Sequence, residues 1–596
     1  MSKETVKNLE ALRSEMRRLR VDAVIIPGTD PHQSEYISGH WKLRDWVSGF
    51  TGSNGTAVVT MDEAGLWTDS RYFLQAAAQL DGSGFVLHKE DVPGEATVEE
   101  WIAGNLHDGA VLAVDGYLFS IARAAALEEM CGRNGLRFAS DFDIADRVWI
   151  GGDRPGRPSG KVFIHEEKYA GESANSKIDR VLAEVEKVDA ESIFIPSLDE
   201  IAWTLNLRGS DVEFTPVFIS YLYLSRTRRV LFIDEVKLDD EVRSYLKSID
   251  VEVKPYDGVK NFLSQQVSTH ETILLDPSKV SDTLARALDC MKVYAPSPVS
   301  MLKAVKNDVQ LAGTRKAMER DGAALVRLFM WLEENAATGK YNEIDVWKKG
   351  MEFRGQSELY RGDSFSMIAG YKEHGAIVHY SATEESASTL AADGLLLIDS
   401  GAQYLDGTTD ITRTLTLGNP TADERHDYTL VLKGHLAIAR AQFPVGTRGS
   451  QLDALARIYL WEEGMGYLHG TGHGVGHFLG VHEGPQNIRL NENPTTLQPG
   501  MITSDEPGVY KTGRYGIRIE NLVLTVPGAH SEEFGDFCRF EVLTLFPYDN
   551  KLIDTAMLTR QEIDQINSYH KQVYDRLSPY LNEDECRWLA DKTREL

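Results

Sequence analysis

The sequence predicts two α/β domains followed by an α+β domain, and three observations support this fold class. Helix and strand patterns alternate through the first ~140 residues, as they do in an α/β layer. A related pattern returns after about 170 residues, well above the roughly 20–50 residues of a solenoid repeat. A third region opens with a long helical stretch and continues as β-rich segments with frequent Gly and Pro. We therefore expect domains over 1–147, 148–306 and 307–596, the last with a helical extension from about 551.

The elements of the first domain follow from short apolar runs and their breaks. An amphipathic helix pattern covers 4–20 and leads into the apolar strand DAVIIP at 22–27. The strand TAVVT follows at 56–60, and the segment GLWTDSRYFLQAAAQL continues the alternation at 65–80. The Gly- and Pro-rich stretch GGDRPGRPSG at 151–160 is typical of a linker.

The second domain resembles a diverged copy of the first. VIIPGTD at 24–30 matches IFIPSLD at 193–199. The succession SEYISG, VSGF, AVVT then parallels DEIAWTLNLRG, VFISYLYL, RRVLFID. We interpret this as a duplicated domain, with chance similarity as the alternative.

Two helical patterns bracket the third region. MLKAVKNDVQLAGTRKAMERDGAALVRLFMWLEEN at 301–335 predicts a long helical stretch. Near the end of the chain, Thr559 and Glu562 form a capping box ahead of a pattern with apolar Ile563, Ile566 and Tyr569. This polar tail is expected to pack on the third domain or on a partner chain.

Composition excludes several classes of function. The 596 residues contain 63 Lys and Arg against 90 Asp and Glu, a net charge of −27, which disfavours a phosphate-tracking surface and so nucleic acid. No stretch reaches the roughly 18 apolar residues of a membrane span, and the N-terminus lacks the apolar core of a signal peptide. The four cysteines are scattered and form no CxxC pair. We expect a cytoplasmic protein with neither nucleic-acid nor membrane partners.

The third region carries the acidic residues that suggest chemistry. LLLIDSGAQYLDGTTDITRTLTL at 395–417 predicts two strands joined by a Gly/Asp/Thr turn, with Asp399 ending the first and Asp410 starting the second. Such a hairpin can place both carboxylates at one end. A carboxylate at the end of an apolar strand is costly to bury without compensation, which a cation would provide. An ordinary role for both as turn residues explains this segment equally well.

Two further glutamates lie in strand-like segments. MITSDEPGVY places Glu506 between an apolar strand and a Pro-Gly turn. GIRIENLVL alternates isoleucines with Arg518 and Glu520, which therefore share one strand face. A solvated face with an Arg–Glu pair would explain Glu520 taken by itself.

The segment HGTGHGVGHFLGVHEGP sets four histidines among glycines: His469, His473, His477 and His482. His473 and His477 have the i, i+4 spacing of a zinc-binding HExxH helix, but Gly474 stands where that motif needs Glu, and the glycines disfavour a helix. Neither GxxxxGK[ST] nor GxGxxG occurs here, which argues against a phosphate-binding loop.

Taken together, these segments supply an oxygen-rich set with one imidazole: Asp399, Asp410, His473, Glu506 and Glu520. Five ligands are too many for one tetrahedral zinc, but two divalent ions that share bridging carboxylates can use them. The majority of hard ligands favours Mn²⁺, Co²⁺ or Fe²⁺. Spacing alone does not make the set specific.

The segments DSGAQYLDGTTDITRT, HGTGHGVGHFLGVHEGP, SDEPGVY and GIRIEN closely resemble the signature segments of the metal-dependent aminopeptidase P (Xaa-Pro aminopeptidase) family of pita-bread peptidases. HQSEYISG…VSGFTGSNGTAVVT and LDEIAWTLNLRGSDVEFTPVFISY resemble the two N-terminal domains of its long, three-domain cytosolic form. The resemblance implies two creatinase-like α/β domains and a pita-bread catalytic domain. It also implies a homodimer.

The activity that the resemblance implies is removal of the N-terminal residue from peptides with proline at the second position. The nucleophile would be a water or hydroxide that bridges two divalent metals, usually Mn²⁺, with Co²⁺, Fe²⁺ or Zn²⁺ as other candidates. Such a metal pair provides a hydroxide at neutral pH, and histidines can protonate the departing proline nitrogen.

Carried over position by position, the resemblance assigns the metal ligands to Asp399, Asp410, His473, Glu506 and Glu520. Among them it implies that Asp410 and Glu520 bridge the metals and that Glu506 is also the general base. It assigns substrate handling to His379, His469 and His482. Arg518 is expected to fix Glu520 and the proton network, and His477 matches no such role, so we interpret it as a packing residue.

Two alternatives use the same scaffold. A prolidase-type dipeptidase shares the ligand set and cuts Xaa-Pro dipeptides, and a non-catalytic peptide-binding module would lose ligands. The duplicated N-terminal domains and the DGTTDITRT version of the motif favour the aminopeptidase. The intact ligand set argues against the module and against metal-free creatinase.

Overall fold

A computed structural model describes residues 2–151 and 153–596 of the chain. It consists of two compact units, the first formed by 1–166 with 172–302 and the second by 167–171 with 303–596. Among the described helices, none combines the length and the apolar character that crossing a membrane requires.

The first unit is built on two six-stranded sheets. In chain order its strands are β1 (Ala23–Pro27), β2 (Thr56–Thr60), β3 (Ala64–Thr68), β4 (Val86–Lys89), β5 (Val111–Ala113), β6 (Arg137–Ala139), β7 (Phe163–Ile164), β8 (Ser192–Ile195), β9 (Leu207–Arg208), β10 (Ser220–Ser225), β11 (Arg229–Ile233), β12 (Val251–Lys254), β13 (Thr272–Leu275) and β14 (Met291–Tyr294). The short strands β7 and β9 pair with each other outside the two sheets.

The helices of this part of the chain pack against the sheets or connect their strands. Up to residue 304 they are α1 (Ser2–Leu19), α2 (Leu43–Ser48), α3 (Phe73–Gln79), α4 (Val98–Asn105), α5 (Ile121–Arg133), α6 (Ala145–Val148), α7 (Glu167–Ala170), α8 (Ala174–Glu186), α9 (Leu198–Thr204), α10 (Asp240–Ser248), α11 (Val259–Gln265), α12 (Asp282–Arg286) and α13 (Pro298–Ala304). The predicted alternation at 65–80 is therefore β3 followed by α3.

The two sheets have the same topology. Their strand orders are β4-β3-β2-β1-β5-β6 and β12-β11-β10-β8-β13-β14. In the first sheet β2 pairs antiparallel with β1 and β3, while the outer pairs are parallel, and the second sheet repeats these directions at equivalent positions. The matching segment VIIP lies on β1, and IFI with the following Pro196 lies on and directly after β8, the equivalent central strand. Two related α/β domains are confirmed, whereas the boundaries at 147 and 306 stay a prediction.

The predicted linker at 151–160 is free of helix and strand in its described residues, 151 and 153–160. Gly152 lies outside the described residues. A connection of this kind, rich in Gly and Pro, fits the composition from which it was predicted.

The second unit combines small antiparallel sheets with long helices. Its strands are β15 (Tyr360–Asp363), β16 (Ile368–Tyr371), β17 (Leu395–Ser400), β18 (Ala402–Tyr404), β19 (Gly407–Thr408), β20 (Ile411–Thr416), β21 (Gln442–Pro444), β22 (Gly472–His473), β23 (Asn487–Ile488), β24 (Ile502–Asp505), β25 (Gly508–Lys511), β26 (Tyr515–Arg518), β27 (Asn521–Ser531) and β28 (Gly535–Val542). After α7 and the end of α13, its helices are α14 (Asp308–Asn335), α15 (Glu343–Arg354), α16 (Ala422–Ala439), α17 (Asp453–Trp461), α18 (Arg560–Leu577) and α19 (Glu583–Lys592).

The long helical stretch predicted at 301–335 is formed by the end of α13 and by α14, with a short break at 305–307. Asn307 has an extended backbone and its side chain accepts a hydrogen bond from the Gln310 backbone N–H, while the Gln310 side chain accepts from the Asn307 backbone N–H. This reciprocal capping box starts a new helix at Asp308. The residues of this capping box are the first and last of the NDVQ segment at 307–310.

The hairpin predicted at 395–417 is confirmed in its pairing and wrong in its connection. Strands β17 and β20 pair antiparallel, with Asp399 opposite Thr412. The connection is not a simple turn, because it contains β18 and β19, which form a separate sheet with β15. The β17 and β20 strands lie with β16 in the order β16-β17-β20.

The C-terminal helix begins as predicted. Thr559 and Glu562 form the capping box at the start of α18. Ile566, Tyr569 and Leu577 are buried in the apolar core of the second unit. The tail therefore packs on the core of the second unit, the first of the two locations expected for it.

Candidate metal centre

The four acidic residues stand at strand ends or in links between strands. Asp399 lies near the end of β17, and Asp410 directly precedes β20. Glu506 connects β24 to β25, and Glu520 connects β26 to β27. The Glu520 backbone N–H donates to the Thr412 carbonyl at 3.1 Å, which joins the link between β26 and β27 to β20.

This pairing brings the predicted ligand set together. One ligand atom each from Asp410, His473 and Glu520 lies within 4.8 Å of the other two. The His473 Nε2 is 3.5 Å from an oxygen of Asp410 and 3.5 Å from an oxygen of Glu506. Asp399 shares the environment of these residues: burial raises its pKa, Arg518 opposes this, and the Asp410 charge adds to the rise.

The acidic groups of the cluster are buried close together, which favours the binding of protons or cations. Burial raises the pKa of Glu520 well above its usual value, and the charges of Asp410 and Asp399 raise it further. Burial also raises the pKa of Glu506 to about 7. For His473 burial opposes protonation, but a hydrogen bond with Asp410 and the Glu506 charge outweigh it and raise the pKa to about 9.

The residues fit divalent cations. Asp399 Oδ1, Asp410 Oδ1 and Glu520 Oε1 are buried and lack a hydrogen-bond partner among the described residues. Buried carboxylate oxygens of this kind are costly unless a cation compensates them. Four carboxylates and one imidazole form a donor set of the hard type that Mn²⁺, Co²⁺ or Fe²⁺ prefers.

The three predicted substrate-handling histidines lie around this cluster. The His482 ring contacts the His473 ring edge-on, with centroids 4.4 Å apart. His469 Nε2 is 2.8 Å from the Tyr510 hydroxyl. His379 is half-buried in the turn after the 3-10 helix at 372–376, and the adjacent Val378 carbonyl accepts from Arg518 Nη2 at 3.4 Å.

Arg518 contacts a different carboxylate from the one expected. It donates to Asp399 Oδ2 at 2.6 Å, whereas Glu520 Oε2 accepts from the Thr412 hydroxyl at 2.8 Å. The expectation that Arg518 fixes Glu520 is therefore corrected to Asp399. The solvated strand face considered for this segment is also wrong, because Arg518 and Glu520 are each 1 % exposed.

Sequence reasoning missed Tyr510. Its hydroxyl accepts from Arg518 Nη1 at 2.8 Å and also contacts His469, so hydrogen bonds run from His469 through Tyr510 and Arg518 to Asp399. Tyr510 belongs to the SDEPGVY segment, but a lone Tyr on a predicted strand carries no signal of this contact.

His477 lies apart from these contacts, in a buried bend. Its Nε2 is 3.2 Å from the Tyr169 carbonyl and its Nδ1 is 3.4 Å from the Thr314 hydroxyl. These contacts agree with the interpretation of His477 as a packing residue.

Comparison with known families matches almost the whole chain. Residues 312–527 match metallopeptidase family M24, and 536–596 match the C-terminal region of peptidase M24. Residues 8–142 and 153–310 each match a creatinase/prolidase N-terminal domain.

Individual relatives extend over the full length. Aminopeptidase P2 of Arabidopsis thaliana is 40 % identical over 97 % of this chain and 86 % of its own length. A probable Xaa-Pro aminopeptidase P of Fusarium vanettenii is 42 % identical over 100 % of this chain and 99 % of its own. The crystal structure of X-prolyl aminopeptidase from Caenorhabditis elegans, described as a cytosolic enzyme with a di-nuclear active site, matches with a TM-score of 0.95 at 34 % identity, covering 99 % of this chain and 100 % of that one. The chain belongs to the Xaa-Pro aminopeptidase (aminopeptidase P) family of M24 metallopeptidases.

Proposed function

We propose that this protein is a metal-dependent Xaa-Pro aminopeptidase, which hydrolyses the bond between an N-terminal residue and a following proline. The observation that carries the proposal is the convergence of Asp410, His473 and Glu520 within 4.8 Å, beside buried carboxylate oxygens that lack a partner among the described residues. The names of the full-length relatives support the same activity.

The proposed ligands of two divalent cations are Asp399, Asp410, His473, Glu506 and Glu520. The di-nuclear active site of the Caenorhabditis elegans enzyme supports the number, and the hard donor set supports Mn²⁺. When bound, two such cations lower the pKa of a water between them and polarise the scissile carbonyl. Asp410 and Glu520 are proposed to bridge the pair.

The chain's own residues supply the proton transfers. Glu506 is the proposed general base: its Oε1 lies 3.5 Å from His473 Nε2 and accepts from the Ser504 hydroxyl at 3.3 Å, which orients it. A prolyl nitrogen leaves poorly unless it is protonated as the bond breaks. His379, His469 and His482 are proposed to bind the substrate, stabilise the developing oxyanion and carry this proton. Arg518 holds Asp399 in place.

With Mn²⁺ added, the protein is expected to release the first residue of Xaa-Pro-Xaa tripeptides and of longer peptides. Chelation followed by dialysis should stop cleavage, and metal analysis before and after should follow the loss. Quantifying the released amino acid for matched tripeptide and dipeptide substrates separates the alternatives. Faster turnover of Xaa-Pro dipeptides would indicate a prolidase-type enzyme, and no cleavage with two metals bound would indicate a peptide-binding module.

The protein is further proposed to be a homodimer. Leu455, Ile458 and Trp461 are exposed at i, i+3 and i+6 on α17, and the neighbouring Leu468 is 77 % exposed. Such an apolar stripe on one helix face is typical of a contact surface.

Trp461→Asp is expected to dissociate the dimer, because it places a charge within the apolar face. Light scattering coupled to gel filtration should then report the 66.5 kDa of a single chain instead of twice that mass. Phe534→Asp is the matched control, since Phe534 is exposed on the β27–β28 hairpin away from α17. A wild-type protein of single-chain mass would exclude the dimer.

We also assign the protein to the cytoplasm, as the Caenorhabditis elegans relative is described as cytosolic. Cell fractionation tests this assignment. Recovery in a membrane-enclosed compartment would contradict it.

A further inference from the structure

Arg413 is a buried cation whose partners are all neutral. Its side chain is 2 % exposed. In the described part of the chain its acceptors are four backbone carbonyls, one amide oxygen and one hydroxyl, those of Thr412, Glu520, Phe546, Pro547, Asn521 and Tyr569. Burial of a guanidinium without a carboxylate partner is costly, so the contacts it makes need a structural or functional reason.

One end of the Arg413 side chain holds the backbone of the proposed metal centre. Nη1 donates to the Glu520 carbonyl at 2.6 Å and to the Thr412 carbonyl at 2.9 Å. Nη2 donates to Asn521 Oδ1, on the next residue after Glu520, at 2.8 Å. The Thr412 hydroxyl in turn holds the Glu520 carboxylate. Arg413 therefore fixes the backbone from which both the Glu520 carboxylate and its hydrogen-bond donor project.

The other contacts of Arg413 reach the C-terminal segment. Nη2 donates to the Phe546 carbonyl at 2.6 Å and to the Tyr569 hydroxyl at 3.1 Å, and Nε donates to the Pro547 carbonyl at 3.1 Å. The guanidinium also lies over the Tyr548 ring at 5.0 Å. Tyr569, on α18, is thus the helix-borne residue that links the C-terminal tail to Arg413.

The Tyr569 hydroxyl fixes this arrangement from both sides. It accepts from Arg413 and from the Phe546 backbone N–H, and it lies 3.0 Å from the Thr544 carbonyl to which it can donate. A guanidinium fork held at both ends loses little freedom on forming its bonds, so it can fix a neighbouring backbone tightly. Residues that orient a metal ligand in this way typically change metal affinity about 10–100-fold when they are lost.

We propose that the C-terminal segment 544–577 supports cation binding at the metal centre. Tyr569 holds Arg413, and Arg413 positions Glu520 for cation binding. Both are positioning residues, since neither touches the proposed metals or the substrate. The proposal rests on the proposed function, because it takes Glu520 as a metal ligand. It gives the tail a role beyond covering the core.

Tyr569→Phe in the full-length protein tests this proposal, because it removes one hydroxyl and keeps the ring. Calorimetric titration of Mn²⁺ into the chelator-treated protein should give an affinity about tenfold or more below wild type. Peptide cleavage should fall at limiting Mn²⁺ and recover at saturating Mn²⁺. The matched control is Tyr428→Phe, whose hydroxyl is buried in the same core and accepts from the Asp549 backbone N–H.

The control should lose a similar amount of thermal stability in the metal-free state and keep wild-type Mn²⁺ affinity. Two outcomes would overturn this inference and leave the proposed function standing. One is equal Mn²⁺ affinity in wild type and Tyr569→Phe, and the other is equal weakening of Mn²⁺ binding in both tyrosine variants. A wild-type protein that binds no Mn²⁺ overturns the proposed function as well. Arg413→Lys is a second variant, which keeps the charge but loses the fork, and it should weaken Mn²⁺ binding at least as much as Tyr569→Phe.

Discussion

Asp410→Asn is expected to abolish peptide cleavage while leaving the fold intact. Asp410 lies within 4.8 Å of the ligand atoms of His473 and Glu520, and its proposed role is to bridge two cations. Metal polarisation of a carbonyl contributes several kcal/mol to catalysis. Because each ~1.4 kcal/mol is a tenfold change in rate, we expect kcat/KM to fall by about 10³-fold or more.

The fold should survive because the substitution removes repulsion. Burial raises the pKa of both Asp399 and Glu520, and the Asp410 charge adds to each rise, so the carboxylates disfavour one another in the metal-free protein. The thermal unfolding midpoint measured with chelator should therefore equal or exceed that of wild type. Asp423→Asn, at an exposed carboxylate of the same unit, is the control and should keep full activity. Wild-type cleavage by Asp410→Asn would refute the two-metal site.

Glu483→Gln is expected to destabilise the second unit strongly. Glu483 follows the proposed substrate residue His482 and binds two buried lysines, Lys303 and Lys306, each at 2.9 Å. Its backbone N–H also donates to the Gly474 carbonyl at 2.8 Å, beside the proposed ligand His473. Removing one partner of a buried ion pair typically costs about 3–5 kcal/mol, because the opposite charge stays buried without compensation.

Urea-induced unfolding measures this cost as a loss in the free energy of unfolding. A variant with methionine at 303, 306 and 483 is the matched comparison, since it removes all three charges and keeps a side chain of similar size at each position. This variant should recover most of the stability lost by Glu483→Gln. A change below about 1 kcal/mol in Glu483→Gln would mean that water or another group compensates the lysines.

Local signals in the sequence were sufficient for many elements. The strand TAVVT at 56–60 and the capping box of Thr559 with Glu562 appear where predicted, because both depend on residues within a few positions of one another. The duplicated α/β domains were predicted from the match of VIIPGTD with IFIPSLD, and the shared strand order of the two sheets agrees with it. The helical stretch predicted at 301–335 also formed, and the capping box of Asn307 with Gln310 sets where its longer helix begins.

For the candidate site, the sequence predicted the residues but not the contacts that hold them. Sequence patterns and the family resemblance predicted which carboxylates and histidines to consider, and the ligand atoms of Asp410, His473 and Glu520 converge. They did not predict which donors would hold these residues: Arg518 contacts Asp399, while Thr412 holds the Glu520 carboxylate. They also did not predict that Tyr510 contacts His469 and Arg518, or that Arg518 and Glu520 are buried.

The sequence by itself therefore determined the two α/β domains, several local elements such as the TAVVT strand, the cap of Thr559 with Glu562 and the chemical nature of the proposed ligands. Only the tertiary structure decided that Arg413 joins Glu520 to Tyr569 and that Lys303 and Lys306 meet at Glu483. The physical reason is the separation of the interacting residues along the chain. Backbone propensity and capping act between close neighbours in the sequence. Hydrogen bonds between distant segments, and the burial of the charges they compensate, depend on strand register and packing, which no short pattern encodes.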